Sequence, residues 1–174
     1  MELILRPFRK EDIDALYFLD QRSYPEPYRF SYGQLVSTLL DPRVMAVVLA
    51  AEDDPNRPVR LMGALILQQE AVDKRLVILT VMVEPGYRRQ GLGKKLLDWA
   101  FRVGQINGLE EVWSPVEAAN GEAMEFFKAA GFAWDGNPSP FFKDESKGGV
   151  WTKKLPPEEA SQSSGQTQGL AGEQ

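Results

Sequence analysis

VILTVMVEPGYRRQGLGKKLLDWAFRVGQI, running from Val77 to Ile106, is a β-branched run, a Pro-Gly turn, a glycine-bearing loop and a segment of helical period in unbroken succession. A strand that feeds a helix through Arg88-Arg89-Gln90-Gly91-Leu92-Gly93 leaves several backbone N–H groups without helical partners at one spot. The helix dipole adds partial positive charge there, and Arg88, Arg89, Lys94 and Lys95 add whole charges. Such a spot is expected to hold a phosphate or pyrophosphate.

Working outward, the chain has 174 residues, 43% hydrophobic and 26% charged, which suits one globular domain with a sizeable core. No apolar run approaches twenty residues and the N-terminus lacks a signal-peptide layout, so the expectation is a cytoplasmic protein without membrane attachment. Cysteine and histidine are both absent, which excludes disulfides, zinc–thiolate sites and a Cys nucleophile, and removes the commonest general base and metal ligand. No metal site is expected. Acid–base chemistry falls to carboxylates, Tyr, Lys, backbone or water. A net charge of −5 argues against nucleic acid as the main partner.

In chain order, Glu2–Arg6 reads as an edge strand closed by Pro7, and Lys10–Leu19 as a helix with acids in its first turn. Pro25 and Pro27 enforce an aromatic loop over Ser23–Phe30, and Ser31–Leu40 forms a second helix. Val44–Ala50 and Val59–Gln69 form a hairpin around an acidic, Pro-bearing loop, with Gly63 marking a weak point or bulge. Leu76–Val83 has the composition of a central strand buried on both faces. The helix after it aligns Leu92, Leu96, Trp99, Ala100, Val103 and Ile106, and ends at Asn107-Gly108. Val112–Val116 is a short strand, Asn120 caps a helix that Gly131 ends, and Phe132–Trp134 and Gly149–Leu155 are terminal strands. The polar stretch 156–174 reads as a disordered tail, leaving 1–155 as the domain. The order β α α β β β α β α β β predicts an α+β fold, one mixed, mostly antiparallel sheet of about seven strands flanked by about four helices.

The loop fails as a Walker A motif, lacking its glycine spacing and Ser/Thr, and as a dinucleotide fingerprint, lacking a third glycine. It resembles instead the acetyl-CoA loop of the GCN5-related N-acetyltransferase (GNAT) superfamily, Gln/Arg-x-x-Gly-x-Gly/Ala. The resemblance extends to the preceding strand, the turn Glu84–Tyr87, the long helix, Asn120-x-x-Ala123 and Gly131-Phe132, about Leu3 to Leu155 in all. It is nearest to the bacterial ribosomal-protein alanine N-acetyltransferase type, through Leu19–Tyr24 and the VMVEPGYRRQGLG segment.

The resemblance implies that amides from Arg89 through Lys94, including Gln90, Gly91, Leu92 and Gly93, bind the pyrophosphate of acetyl-CoA, with Arg88 adding charge. Val81, Met82 and Val83 are implied to bond the pantetheine arm and thioester through their main chains, as an added strand does. One such amide would act as an oxyanion donor, the kind whose loss costs about 10²–10³ in rate. Asn120 is implied to touch the arm. The implied reaction is direct acetyl transfer to an amine or peptide N-terminus, without metal or covalent enzyme intermediate, by a monomer or homodimer.

Two positions depart from the pattern. Where the subfamily has a Tyr acid seven residues after the Asn, this chain has Phe127; where it has a Glu base five residues before, this chain has Pro115. Residues two apart on a strand share a face, so Glu117 is the first substitute for the base and Glu70 the second. Tyr24, Tyr28 and Ser114 are the candidate acids. The alternative is a non-catalytic GNAT-fold protein serving as an acyl-CoA sensor or partner subunit.

Overall fold

The computed structural model describes residues 1–26, 28–51, 56–138 and 148–158. The proposed disordered tail beyond Glu158, most of the acidic hairpin loop and the Pro-Ser-Pro-Phe-Phe loop lie outside the described residues.

The elements follow the expected order: β1 Leu3–Pro7, α1 Ile13–Ser23, α2 Tyr32–Leu40, β2 Val44–Ala51, β3 Arg60–Glu70, β4 Arg75–Val83, α3 Leu92–Ile106, β5 Glu111–Glu117, α4 Gly121–Ala129, β6 Ala133–Pro138 and β7 Gly148–Lys154. They build one seven-stranded sheet in the order β1-β2-β3-β4-β5-β7-β6, antiparallel except where β4 meets β5. β1 is the edge strand expected from its sequence. The first helix starts later than its acidic pattern suggests, because Lys10–Asp12 winds as a 3₁₀ turn, and it continues to Ser23 before Pro25. Among the described residues no helix is long and apolar enough to cross a membrane.

Helices cover both faces of the sheet. α3 and α4 press Leu96, Leu97, Ala100 and Phe127 onto Leu65, Leu67, Leu76 and Ile78, while α1 and α2 press Leu16, Leu19 and Leu35 onto Ile66, Ala64 and Met82. α3 is rotated from its expected face: Leu97 and Gly104 are buried and Ile106 is 59% exposed. Gly104 is needed there, since a Cβ would lie 2.5 Å from a Leu155 side-chain carbon.

Two bulges set the geometry of the middle strands. Leu49 pairs with Gly63 but Ala50 with Leu61, so the irregularity expected at Gly63 falls on the adjacent Met62. In β4, Ile78 pairs with Leu67 and Thr80 with Ile66, leaving Leu79 unpaired. The extra residue reverses the alternation: Leu76 and Ile78 face α3 before it, Val81 and Val83 face α3 after it.

Two interactions fasten the helical layers. Arg6 grips the buried Asp12 with Nη1–Oδ2 at 2.7 Å and Nη2–Oδ1 at 2.8 Å, and the Arg9 N–H adds a bond of 2.8 Å. Burial works to raise the Asp12 pKa, but these bonds outweigh it and hold the carboxyl below its ordinary value. On the other face Phe126, Phe127 and Phe132 pack edge-on, with centroids 5.2 and 5.1 Å apart, and the Phe126 ring leaves no room for a side chain at Gly93.

Asp12→Asn should cost about 3 kcal/mol, because it leaves the Arg6 guanidinium partly buried without its counter-charge. The wild-type contribution is complete above about pH 4 and fades as pH falls through the depressed folded value; thermal unfolding of both proteins across pH 2–6 reads it. Gly93→Ala places a Cβ 2.8 Å from Phe126 Cε2 and should cost roughly 1–3 kcal/mol by displacing α3 from α4, measured by urea unfolding.

Candidate functional site

β4 and β5 pair only at Arg75–Glu111, Leu76–Val112 and Val77–Trp113. Past that point the two central strands part, and among the described residues β4 from Ile78 to Val83 has no strand on its β5 side. A strand edge inside a sheet that lacks its neighbour offers N–H and C=O groups to an extended ligand. Pro115 is tolerated within β5 because the parallel ladder has stopped two residues before it.

The loop leaving β4 brings the chain back to this opening. Arg89 stands at φ 61° and Gly91 at φ 81°, left-handed conformations that turn the chain sharply into α3. No side chain caps that helix, and its first i→i−4 bond is Lys95 N–H to Gly91 C=O at 3.0 Å, so the amides of Leu92, Gly93 and Lys94 have no helical acceptor. A Cβ added at Gly91 meets nothing within 4 Å, so there is room in front of the loop. Uncapped amides, a left-handed turn and open space make the residues present a fit for a pyrophosphate.

The cations are less uniformly aimed than the sequence suggests. Arg88 turns back to bond Ser23 C=O at 3.0 Å and Val83 C=O at 3.3 Å, and Lys94 pairs with Asp98 at 2.8 Å. Arg89 and Gln90 stay exposed at the turn. Two of the three expected main-chain positions on β4 also carry side-chain donors: Val81 C=O accepts from Tyr24 at 2.5 Å, and Val83 C=O from Arg88. Met82 turns its side chain into the α1 face. Asn120 caps α4 as expected, accepting from Ala123 N–H at 3.0 Å.

The candidate acid–base residues separate clearly. Glu117 ends β5 on the same face as Pro115 and Trp113, the face away from α3, as the two-residue alternation implies. Tyr28, on the loop between α1 and α2, has its pKa raised above its ordinary value by the Glu117 carboxylate. Glu70 is not brought to the opening: it is ion-paired with Arg75 at the closed end of β4, where the Arg75 guanidinium stacks 3.8 Å over Trp113. Tyr24 is at the opening, with its proton on Val81 C=O and its oxygen accepting from Thr80 at 3.1 Å; burial pushes its pKa up. Ser114 is 2% exposed and faces the α3 side with Val112 and Val116. Phe127 is 4% exposed inside the aromatic cluster. The link from Tyr28 to Glu117 was visible in sequence only as two separate candidates, since no local spacing relates a loop to a distant strand end.

An open groove of about 380 Å³ adjoins Tyr28, lined also by Arg29, Phe30, Gln34 and Thr38. No group of three or more acidic side chains capable of holding a metal occurs among the described residues.

Known proteins give this geometry a family. The chain is 31% identical over 71 residues to a [ribosomal protein bS18]-alanine N-acetyltransferase of Escherichia coli K12, covering 41% of this chain and 47% of that relative, so the match spans about half the relative's length. The crystal structure of the ribosomal-protein-S18-alanine N-acetyltransferase from Escherichia coli superposes with a TM-score of 0.68 at 20% identity, over 89% of this chain and 94% of that one. The PaiA N-acetyltransferase of Thermoplasma acidophilum, solved in complex with coenzyme A, gives 0.71 at 20% identity over 89% and 100%. These likenesses show the fold, and the model of the Acetyltransferase (GNAT) family matches residues 10–132. With that match covering well over half its length, the chain belongs to the acetyltransferase (GNAT) family.

Proposed function

We propose that this chain is an N-acetyltransferase that moves an acetyl group from acetyl-CoA, its donor substrate, directly to a primary amine, most simply the α-amino group of a protein or peptide N-terminus. The observation that carries the reading is the parting of β4 and β5 in line with the uncapped start of α3. Acetyl-CoA is the ligand whose parts suit both: a pyrophosphate for the amides of Arg89 through Lys94, and an extended amide-bearing arm for the open edge of β4 at Val81, Met82 and Val83. Asn120 stands at the start of α4, next to the end of β5, where its free amide nitrogen serves the same arm. The N-terminal alanine named for the bacterial relative supports the choice of acceptor.

On this reading Glu117 takes the proton from the attacking amine, directly or through a water. It is the carboxylate at the opening that is free of an ion pair among the described residues, whereas Glu70 is held by Arg75. The acetyl carbonyl is polarised by a β4 amide, and a positioned base contributes typically ~10²–10⁴ in rate. The protein is read as cytoplasmic, with residues 1–155 forming the acetyltransferase domain.

A second reading follows from Phe127 and Pro115: a GNAT-fold protein that binds acyl-CoA and transfers nothing. Free-thiol release from acetyl-CoA, measured with and without peptides bearing free N-termini, separates the two. Amine-dependent release supports the enzyme; binding of acetyl-CoA with no amine-dependent release leaves the sensor.

Gly91→Glu puts a carboxylate before the α3 amides and should weaken acetyl-CoA at least tenfold by calorimetry, while Gly91→Ala, which adds only backbone strain, should weaken it much less. Equal affinities for all three proteins would sink the loop assignment. Glu117→Gln should lower kcat about 10²-fold with acetyl-CoA affinity unchanged; wild-type kcat would remove Glu117 from the reaction.

A further inference from the structure

We propose that Tyr24 and Arg88 decide how the open edge of β4 takes an acyl arm: by holding the carbonyls of Val81 and Val83 they leave that edge with N–H groups to offer, so the arm is selected through its carbonyl oxygens. The inference rests on the acetyl-CoA reading above and deepens it.

Register fixes which main-chain groups face the opening. β3 and β4 pair as Gly63–Val83, Ala64–Met82 and Leu65–Val81, and Glu84 N–H bonds Met62 C=O at 2.9 Å just beyond them. Antiparallel pairs alternate between bonded and non-bonded, so of the three residues at the open edge Met82 faces Ala64, while the N–H and C=O groups of Val81 and Val83 turn away from β3. Among the described residues no strand stands on that side, since the ladder to β5 ends at Val77.

The outward carbonyls are nevertheless taken. Tyr24 Oη donates to Val81 C=O at 2.5 Å and accepts from Thr80 Oγ1 at 3.1 Å, so its one proton is aimed at the carbonyl. Burial raises the Tyr24 pKa, which keeps that proton in place. Arg88 spans Val83 C=O at 3.3 Å and Ser23 C=O at 3.0 Å. Arg22 holds the two segments together, its Nη2 2.7 Å from Glu84 Oε2.

This capping is one-sided. The Tyr24 oxygen is occupied by Thr80 and a guanidinium has no acceptor, so neither side chain serves the N–H groups. What remains toward the opening is Val81 N–H and Val83 N–H, on residues two apart and so about 7 Å from each other. An added strand ordinarily exchanges both donors and acceptors with its neighbour; this edge offers half of that pattern. In an acyl-CoA the thioester carbonyl and the nearest amide carbonyl of the arm are linked through five bonds, a comparable span, and their oxygens suit the two donors. The amide N–H between those carbonyls meets a Val81 carbonyl already bonded to Tyr24.

The test measures binding of acetyl-CoA, and of an analogue N-methylated at the arm amide nearest the sulfur, to wild type and Tyr24→Phe by calorimetry, with Tm recorded for both proteins. Wild type should bind the two ligands within about twofold of each other. Tyr24→Phe, which frees Val81 C=O for the arm N–H, should bind acetyl-CoA about threefold to tenfold more tightly than wild type does and gain nothing with the methylated analogue. A loss of about tenfold or more on methylation in wild type, a measurement that needs no variant to fold, overturns the inference. So does a folded Tyr24→Phe whose affinity for acetyl-CoA is unchanged or weaker, the result of a hydroxyl that only braces the loop. Absence of acetyl-CoA binding by wild type overturns instead the cofactor reading, and this inference with it.

Discussion

A central strand cannot leave a neighbour without consequence, because each buried N–H and C=O it exposes must find another partner. β4 pairs with β3 on both sides of the bulge at Leu79 but loses β5 after Val77, just before that bulge. Two side chains from outside the sheet offset part of the loss: Tyr24 donates to Val81 C=O from the end of α1, and Arg88 donates to Val83 C=O while also holding Ser23 C=O. The opening is therefore held at its α1 side by hydrogen bonds to Ser23 and from Tyr24, where the loop between α1 and α2 begins. Changes in that loop bear on the strand, and changes in the strand bear on the loop.

The bulge also divides labour between the faces. By reversing alternation it turns Val81 and Val83 toward α3, and sets both Leu79 and Thr80 toward α1. On the α3 side the surroundings are apolar and aromatic, and the α3 amides lie at the end of the strand. On the α1 side the surroundings are polar, with Thr80, Tyr24, Tyr28 and Glu117. The α3 amides proposed for the anion and the Glu117 carboxylate proposed as the base thereby lie on opposite sides of one opening.

What the sequence made legible was whatever is written in local period. The element order, the cap at Asn120, the left-handed turns at Gly108 and Gly131 and the uncapped loop at Gly91 follow from spacing and residue type. What it concealed depends on non-local geometry. Ile106 fits the helical stripe yet is exposed, because Gly104 and Leu97 set the rotation of α3 against Leu155 and the sheet. Arg88 reads as a phosphate ligand until the end of α1 arrives beside it and supplies a carbonyl. Glu70 reads as a free carboxylate because the hairpin that delivers Arg75 to it is a matter of register. Gly93 reads as a phosphate-loop glycine, and its tighter constraint is the Phe126 ring on another helix.

The aromatic cluster explains why proton chemistry would leave α4. Phe126, Phe127 and Phe132 interlock edge to face, and Phe127 is almost wholly enclosed. A hydroxyl at that position would have to find a partner inside an apolar core or cost about 1–3 kcal/mol as an unsatisfied donor. Phenylalanine there strengthens the packing of α4 on α3, on which the close approach at Gly93 depends, and so steadies the helix start proposed to face the anion. The same choice removes the only hydroxyl that α4 could direct at the opening.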